Sequence, residues 1–206
     1  VTELEAINTL LSVIGEAPID SLSDVTVNEI TDSSLARKTL QETSRDVQAE
    51  GWSWNTDNGV KYVRDASNEI KIPQSALKVV FSPSQYGDNQ YVVRGLRVYN
   101  RNKQSFDMTD VESVVANQVV TKLEWEDLPH AAQQYIAIRA ARIYSDRFVN
   151  SSAIYVYTTA DEQYARSMLI RSEERSNGDN MLYGNDLGIS QGIGYLPVQG
   201  MRYRRN

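Results

Sequence analysis

The sequence predicts an α+β fold in which four helices form a bundle-like domain that carries a small inserted antiparallel β domain and an extended C-terminal arm. Three observations predict it. Apolar residues recur at helical spacing in four segments, the period changes to two between about residues 59 and 124, and the last thirty residues are rich in glycine and polar side chains. We therefore expect a discontinuous helical domain over 1–55 and 126–176, a β-rich domain over 56–125 and an arm over 177–206.

The first helix is predicted from the stretch ELEAINTLLSVIGEAPIDSL, which begins at residue 3. Apolar residues spaced by three and four form one stripe of a helix, namely Leu4, Ile7, Leu11 and Ile14, which Leu10 and Val13 widen. Gly15 suits the left-handed position past a helix end, and Pro18 cannot continue a helix. The helix is therefore expected to stop at Gly15.

The second helix is predicted for SSLARKTLQETSRDVQAEG, with Ser33 or Ser34 as its N-cap and Gly51 as its terminator. Its expected inward positions are Ala36, Leu40, Thr43 and Val47. Trp52 and Trp54 follow at once. Because they are two residues apart, they are expected to point to the same side of an extended segment.

The middle of the chain is expected to form a small antiparallel sheet or half-barrel. Five runs alternate in polarity or are rich in β-branched and aromatic residues: KYVRD, NEIKI, LKVVF, QYVVRGLRVYN and NQVVTKLEW. SPSQYGDNQ reads as a loop between them. Arg94-Gly95 is expected to form a turn or bulge, because glycine tolerates the backbone angles that such a feature needs.

Two further helices are predicted after the strands. The third covers DLPHAAQQYIAIRAARIYSDRFVN, with Pro129 in its first turn and a stripe of small and branched residues at Ala132, Ile136, Ala140 and Ile143. The fourth covers about residues 153–174. One of its faces is expected to carry Tyr157, Ala160, Tyr164 and Met168. The glycine-rich remainder suits an extended arm that lies on another surface.

Composition excludes several classes of function. The chain has 206 residues, no cysteine and a single histidine, so disulfides and thiolate metal sites are excluded and no cofactor is expected. No apolar run approaches the roughly 20 residues of a membrane span, and no secretory signal is recognised, so we expect no membrane insertion and synthesis in a bacterial cytoplasm.

Charge is distributed unevenly along the chain. The net charge is −6, but residues 1–60 hold eleven acidic and three basic side chains, whereas residues 129–206 hold nine arginines against seven acids. An acidic chain is a poor candidate for tight nucleic-acid binding, because neutralising phosphates supplies most of that affinity. The two ends of the chain have opposite charge balances, which indicates either ordinary solvated surface or attraction between neighbouring subunits.

The candidate catalytic residues are few. His130 has no recognisable nucleophile beside it, so a surface or capping role is favoured. Glu124, Glu126 and Asp127 flank Trp125, and paired carboxylates beside an aromatic ring are what a glycoside hydrolase requires. Because the first two are expected to alternate along the end of a strand, they would share one face. The favoured interpretation is that these acids stabilise the start of the third helix.

Two motifs near the C-terminus share some features with ligand sites. GISQGIGYLPVQG contains four glycines without the spacing or the strand-to-helix context of a dinucleotide loop, so it is rejected as a phosphate site. The terminal RYRRN is basic and aromatic. It suits DNA phosphates or an acidic groove of a protein, and with so few charges a tail that docks on a partner is favoured.

Several motifs together resemble the tail tubular protein A family of short-tailed phages. The opening helix with Ile-Gly-Glu-x-Pro is similar to the family's first signature, and Gly51-Trp52-x-x-Asn55 to the end of its second helix. YVVRGLRVYNR, residues 91–101, resembles the family's central hairpin. The segment from Pro129 to Phe148 resembles its long helix, which enters at a proline and closes on Arg-Phe. The resemblance covers about residues 3–175.

The resemblance implies a structural role without catalysis. Members form a dodecameric head–tail adaptor ring that docks under the portal protein, receives the tail nozzle (tail tubular protein B) and forms part of the DNA channel, so the chain is expected in the virion tail at the portal vertex. Genomic DNA would pass through without sequence-specific binding. Expected interface residues for the ring or its partners are Leu4, Leu11, Ile14, Trp52, Tyr195, Arg202, Tyr203, Arg204 and Arg205. The alternative is a virion-associated hydrolase that degrades cell-wall or capsule glycans.

Overall fold

Helices and antiparallel strands make up the described part of the chain, which confirms the predicted α+β class. The computed structural model describes residues 1–24, 31–81, 90–148 and 159–176. In chain order the elements are α1 (Glu3–Ile14), α2 (Asp32–Ala49), β1 (Thr56–Val63), β2 (Ala76–Phe81), β3 (Tyr91–Arg94), β4 (Arg97–Asn100), β5 (Ser113–Thr121), α3 (His130–Phe148) and α4 (Thr159–Ser176). Short 3₁₀ turns lie at Leu22–Asp24, Ser53–Asn55 and Trp125–Asp127.

Helix α1 ends where the sequence predicted. Gly15 adopts φ +83°, and its N–H bonds the carbonyls near the helix end. At the other end Thr2 and Glu5 form a capping box. The buried residues are Ala6, Ile7, Leu10, Leu11 and Val13. Leu4 and Ile14 are only half-buried, because α1 packs on both α2 and α3 and its buried arc is therefore wider than the predicted stripe and centred beside it.

Helix α2 begins earlier than predicted. Thr31, rather than Ser33 or Ser34, is the N-cap: its hydroxyl accepts the Ser34 N–H at 3.2 Å, and the Ser34 hydroxyl accepts the Thr31 N–H at 3.1 Å. The side chain of Ser34 therefore serves as the return partner of a capping box. All four predicted inward positions of α2 are buried, as are Thr39, Ser44 and Gln48.

Helix α3 is central to the helical part, because it packs on α1, α2 and α4. Ala132, Ile136 and Ala140 are fully buried, as the stripe predicted, whereas Ile143 is half-buried. Alanines at these positions allow neighbouring helices to approach closely. The Tyr144 hydroxyl donates to the Asp32 carbonyl at 2.9 Å and so joins α3 to the first turn of α2.

Tyr144 makes stability depend on pH in the alkaline range. Burial, aided by Asp32 and Glu16, raises the pKa of its hydroxyl from 10.0 to about 12. The folded state therefore holds this proton more tightly than the unfolded chain, so the stabilisation is complete below pH 10 and is lost as the pH rises from 10 to 12. In urea titrations across this window we expect a shallower decline for Tyr144→Phe than for the wild type. Equal slopes would contradict the assignment.

The strands form a three-stranded antiparallel sheet in the order β1-β5-β2 and a separate β3–β4 hairpin. The hairpin turns through Gly95 and Leu96 at φ +55° and +60°, which is a two-residue turn of type I′. The predicted NEIKI strand is wrong. Lys71 makes a single bridge to Arg97, although Ile70 and Ile72 on either side of it are buried. The predicted loop falls almost entirely on residues 82–89, which lie outside the described ranges.

Buried apolar residues fall into two clusters. The larger joins the four helices with Trp52, Trp125 and Leu128, and the smaller lies among the strands around Ile70, Val98 and Met108. The chain passes from the helices to the strands near residues 51–56 and returns near 121–125. These two crossings lie side by side, since β1 and β5 are paired from Thr56↔Val120 onward.

Candidate functional site

The candidate catalytic acids lie on a 3₁₀ turn between β5 and α3, so the prediction that Glu124 and Glu126 alternate along a strand is wrong. All three carboxylates are exposed, and Glu124 lies 3.9 Å from Lys122. The Trp125 ring is buried, and its indole N–H donates to the Val1 carbonyl at 2.8 Å. It serves the core and offers no platform for a sugar ring. This geometry does not favour the glycoside hydrolase alternative.

A cavity beside these acids is too small for a typical ligand. It has a volume of about 90 Å³ and is lined by residues of α1, α2 and the 122–126 segment, including Glu3 and Arg37, which form an ion pair at 3.1 Å. Ligand sites usually enclose roughly 300–1,000 Å³. Within the described ranges, no group of three or more histidine, aspartate or glutamate side chains is placed to hold a metal ion. His130 is exposed at the start of α3.

Gln48 is the first of two buried amides that hold the crossings between helices and strands. Its side chain is fully buried in the last turns of α2. Its Nε2 donates to the Leu123 carbonyl at 3.1 Å and to the Ser44 hydroxyl at 3.0 Å, while its Oε1 accepts the Leu123 N–H at 2.7 Å. Gln48 thus pairs with Leu123 as a neighbouring strand would, and it fixes the segment that leaves β5 against α2.

Asn55 is the second buried amide. Its Oδ1 accepts the Trp52 N–H at 2.8 Å, and its Nδ2 donates to the carbonyls of Gln48 at 2.9 Å and Thr121 at 3.1 Å. One side chain therefore joins the end of α2, the entry to β1 and the exit from β5. We call Gln48 and Asn55 together the amide clamp. In each of these two side-chain amides the nitrogen donates two hydrogen bonds and the oxygen accepts one. Only one lone pair on each oxygen is unused, as a buried polar pair requires.

Trp52 and Trp54 lie on the same side, as predicted, but on a 3₁₀ turn rather than an extended segment. Their rings stack with centroids 6.4 Å apart. The Trp52 ring is buried and its indole N–H donates to the Val47 carbonyl at 2.8 Å, so it also closes the end of α2. The Gly-Trp-x-x-Asn motif is thus a structural connection between helix and sheet.

Gly51 is expected to tolerate no side chain. It adopts φ +85°, and a Cβ there would lie 3.1 Å from Val120 Cγ2. We expect Gly51→Ala to lower the free energy of unfolding by about 2–4 kcal/mol, because overpacking adds to the left-handed backbone cost. Gly59→Ala is the matched control: it has φ +69° with nothing within 4 Å, and should cost about 1–2 kcal/mol. Equal losses in denaturant titrations would show that close packing at Gly51 contributes nothing.

Helix α4 is attached to α3 and to the end of α2 by polar contacts. Glu162 accepts from Arg139 at 3.3 Å and from Arg142, and this hydrogen bond raises the pKa of Arg142. Arg166 contacts both carboxylate oxygens of Glu50, at 2.8 and 3.3 Å. Near the other end of α4, Glu173 accepts the backbone N–H of Ser53 at 2.5 Å. These contacts, with buried Ala165 and Leu169, fix which face of α4 points inward.

The opposite face of α4 is exposed. It carries Ala160, Tyr164 and Met168, which the sequence placed on one face; Tyr157, assigned to the same face, lies outside the described residues. Tyr164 is 67% exposed and Met168 41%. Large apolar side chains at this exposure, aligned along one helix, are typical of an interaction surface.

The β3–β4 hairpin presents arginines on aromatic rings. The Arg94 guanidinium lies 3.9 Å from the centre of the Tyr99 ring, and Arg97 lies 4.1 Å from that of Phe106. Arg97 also pairs with Glu69 at 2.7 Å. Arg97 is therefore paired with Glu69 and Phe106, and Arg94 with the Tyr99 ring. These contacts rigidify the hairpin and do not by themselves indicate a nucleic-acid surface.

The predicted interface residues fall into three groups. Leu11 and Trp52 are buried in the chain's own core, so their side chains present no surface to a neighbour. Leu4 and Ile14 are half-buried on α1. The remaining five lie outside the described ranges, as does the predicted arm: Tyr195, Arg202, Tyr203, Arg204 and Arg205.

None of the helices in the described part is long and apolar enough to cross a membrane.

Comparison with known proteins gives the family. The family model for the tail tubular protein (Tube) matches residues 4–179, which includes all the described strands and all the described helices except the first residue of α1. Tail tubular protein A of Klebsiella phage KP34 is 29% identical over 177 residues, which cover 84% of this chain and 88% of the relative. Both findings confirm the resemblance carried by the opening helix, the Gly-Trp-x-x-Asn motif and the hairpin. The chain belongs to the tail tubular protein family and is a structural component of a bacteriophage tail.

Proposed function

We propose that the chain is one subunit of a dodecameric adaptor ring that joins the portal protein to the tail nozzle at the portal vertex of the virion. The family match over residues 4–179 is the observation that carries this proposal. The ring would form part of the DNA channel, retain the packaged genome and release it at ejection. In this proposal the subunit is made in the cytoplasm of the host and acts only after assembly.

The described surfaces support an assembly role. The cavity beside the 3₁₀ turn is small, whereas the outer face of α4 exposes large apolar side chains that a lone subunit does not need. We further propose that the helical residues 1–55 and 126–176 form one domain and that 56–125 is an insertion carried on it. The division has a physical basis in the two separate buried clusters.

The charge of the chain supports passage of DNA without tight binding. A net charge of −6 is unlike that of proteins that hold DNA by neutralising phosphates. A strongly basic channel wall would retain the genome and slow ejection. We therefore propose that genomic DNA contacts the ring without sequence-specific recognition.

Co-assembly with purified portal and nozzle tests the function. We expect the chain to sediment with each partner separately and with both together, and electron microscopy to show a ring between them. A portal mixed directly with the nozzle is the control, because an adaptor is needed only if those two do not join alone. Failure to bind either partner, or direct joining of portal and nozzle, would contradict the proposal.

A further inference from the structure

The outer face of α4 is a continuous surface with a mixed character. Positions 160, 164, 168, 171 and 175 are spaced by three or four residues and so share one side of the helix. They are Ala160, Tyr164, Met168, Arg171 and Arg175, and all are exposed. Neither arginine has an ion-pair partner among the described residues. The face is therefore apolar in its first half and positively charged in its second.

The outer stripe of α1 has the complementary character. It consists of Glu5, Thr9 and Ser12, and exposed Glu16 follows just past the helix end. Helix α1 contains no basic residue, whereas α2 exposes Lys38 and Arg45. The negative charge of α1 is therefore not offset by any basic residue of α1 itself.

The two hydroxyls of this stripe already donate to backbone carbonyls. The Thr9 hydroxyl donates to the Glu5 carbonyl at 2.8 Å, and the Ser12 hydroxyl donates to the Thr9 carbonyl at 2.7 Å. A neighbouring helix can cover these small side chains without leaving a hydroxyl unpaired, which removes the usual cost of burying polar surface.

The helices that carry the two surfaces pack around different sides of α3. One side of α3 contacts side chains of α4 through residues spaced by four and three, namely Tyr135, Arg139 and Arg142. Tyr144 bonds α2 and is buried on another side of α3, at about 180° from Tyr135 on a helix of 100° per residue. Helix α4 is thus on one side of α3. The start of α2, which α1 joins through the Glu3–Arg37 ion pair, is on the other side, whereas Glu50 just past the far end of α2 contacts α4. A ring needs two such different surfaces on each subunit.

We propose that the outer face of α4 docks on the outer stripe of α1 in a second copy of this chain. Tyr164 and Met168 pack over the small residues Thr9 and Ser12, while Arg171 and Arg175 meet the acidic character of α1. The inference rests on the ring proposed above and names its subunit contact. Because each copy offers one surface of each kind, the contact repeats head to tail from copy to copy, which is the kind of contact that the proposed ring requires.

Site-directed cross-linking tests this contact, and the chain suits it because it contains no cysteine. A chain carrying both Ser12→Cys and Met168→Cys, assembled and then oxidised, is expected to give a ladder of multimers on a denaturing gel. Each single variant should give no ladder. The matched control pairs Ser12→Cys with Ile170→Cys. Ile170 is exposed to the same 41% as Met168, but it lies about 200° away around α4. Equal ladders from both pairs, or none from the Met168 pair in an assembled ring, would overturn the proposal.

Assembly of a second variant separates this inference from the proposed function. Tyr164→Ser with Met168→Ser is expected to keep the wild-type circular dichroism spectrum and melting temperature, because both side chains are exposed. The double variant should assemble only at a protein concentration at least about tenfold higher than the wild type needs. Ile170→Ser should assemble as the wild type does. If the wild type forms a ring and the double variant forms it equally well, only this contact is wrong. If the wild type forms no ring, alone or on the portal, the proposed function fails.

Discussion

Replacing Asn55 with alanine is expected to lower the free energy of unfolding by about 3–5 kcal/mol, measured by urea titration. The change removes three hydrogen bonds and leaves the Trp52 N–H and the carbonyls of Gln48 and Thr121 without their partner. Each buried polar group left unpaired costs about 1–3 kcal/mol, and water entering the space left by the side chain offsets part of the total. A loss of this size is a large share of the roughly 5–15 kcal/mol that stabilises a typical domain.

Two further variants show whether the hydrogen bonds of Asn55 are the cause. Asn58→Ala removes the same amide from an exposed position of β1, and it should change stability by less than about 0.5 kcal/mol. Asn55→Asp keeps the size of the side chain and the acceptor for Trp52, but it places an oxygen where Nδ2 donates to two carbonyls. It should therefore be as damaging as alanine. A stable Asn55→Asp protein would show that the clamp acts by shape alone.

Leu10→Ala in α1 is expected to cost about 2–5 kcal/mol, because Leu10 is fully buried where α1 packs in the helical core and truncation leaves a cavity. Thermal and urea unfolding both measure the loss. Ser12 is two residues further along the same helix, but it is exposed. Ser12→Ala should therefore keep the free energy of unfolding within about 0.5 kcal/mol of the wild type. Similar losses for the two variants would mean that α1 adds little to the core.

The helices were predictable because their signals are local. The end of α1 at Gly15 and the buried positions of α2 follow from spacing and from glycine within a few residues. The N-cap of α2 was missed, because Thr31, Ser33 and Ser34 are equivalent as residue types. Which hydroxyl faces the free N–H groups depends on where the backbone turns from extended to helical, and Thr31 is the last extended residue.

The strands were less predictable, because alternation reports burial of side chains and not pairing of the backbone. Ile70 and Ile72 alternate and are buried like strand residues. Their backbone bonds reach Val98 and Leu96 at 2.9 Å around one bridge, and no ladder continues from there. A sequence pattern contains no information on that distinction.

The amide clamp could not be found from the sequence alone. Asn55 belongs to a recognisable motif, but Gln48 reads as one more polar residue near the end of a helix. Its partner Leu123 is 75 positions away. The exposed face of α4 was also hidden from the sequence. Periodicity placed Tyr164 and Met168 together, but it did not show whether that face points inward or outward.

The mass of the purified protein in solution, measured alone and after mixing with its portal, tests the central claim most directly. We expect either a ring of about twelve copies alone, or a monomer that assembles into that ring only on the portal. A stable monomer that ignores the portal at every concentration tested would contradict the adaptor role.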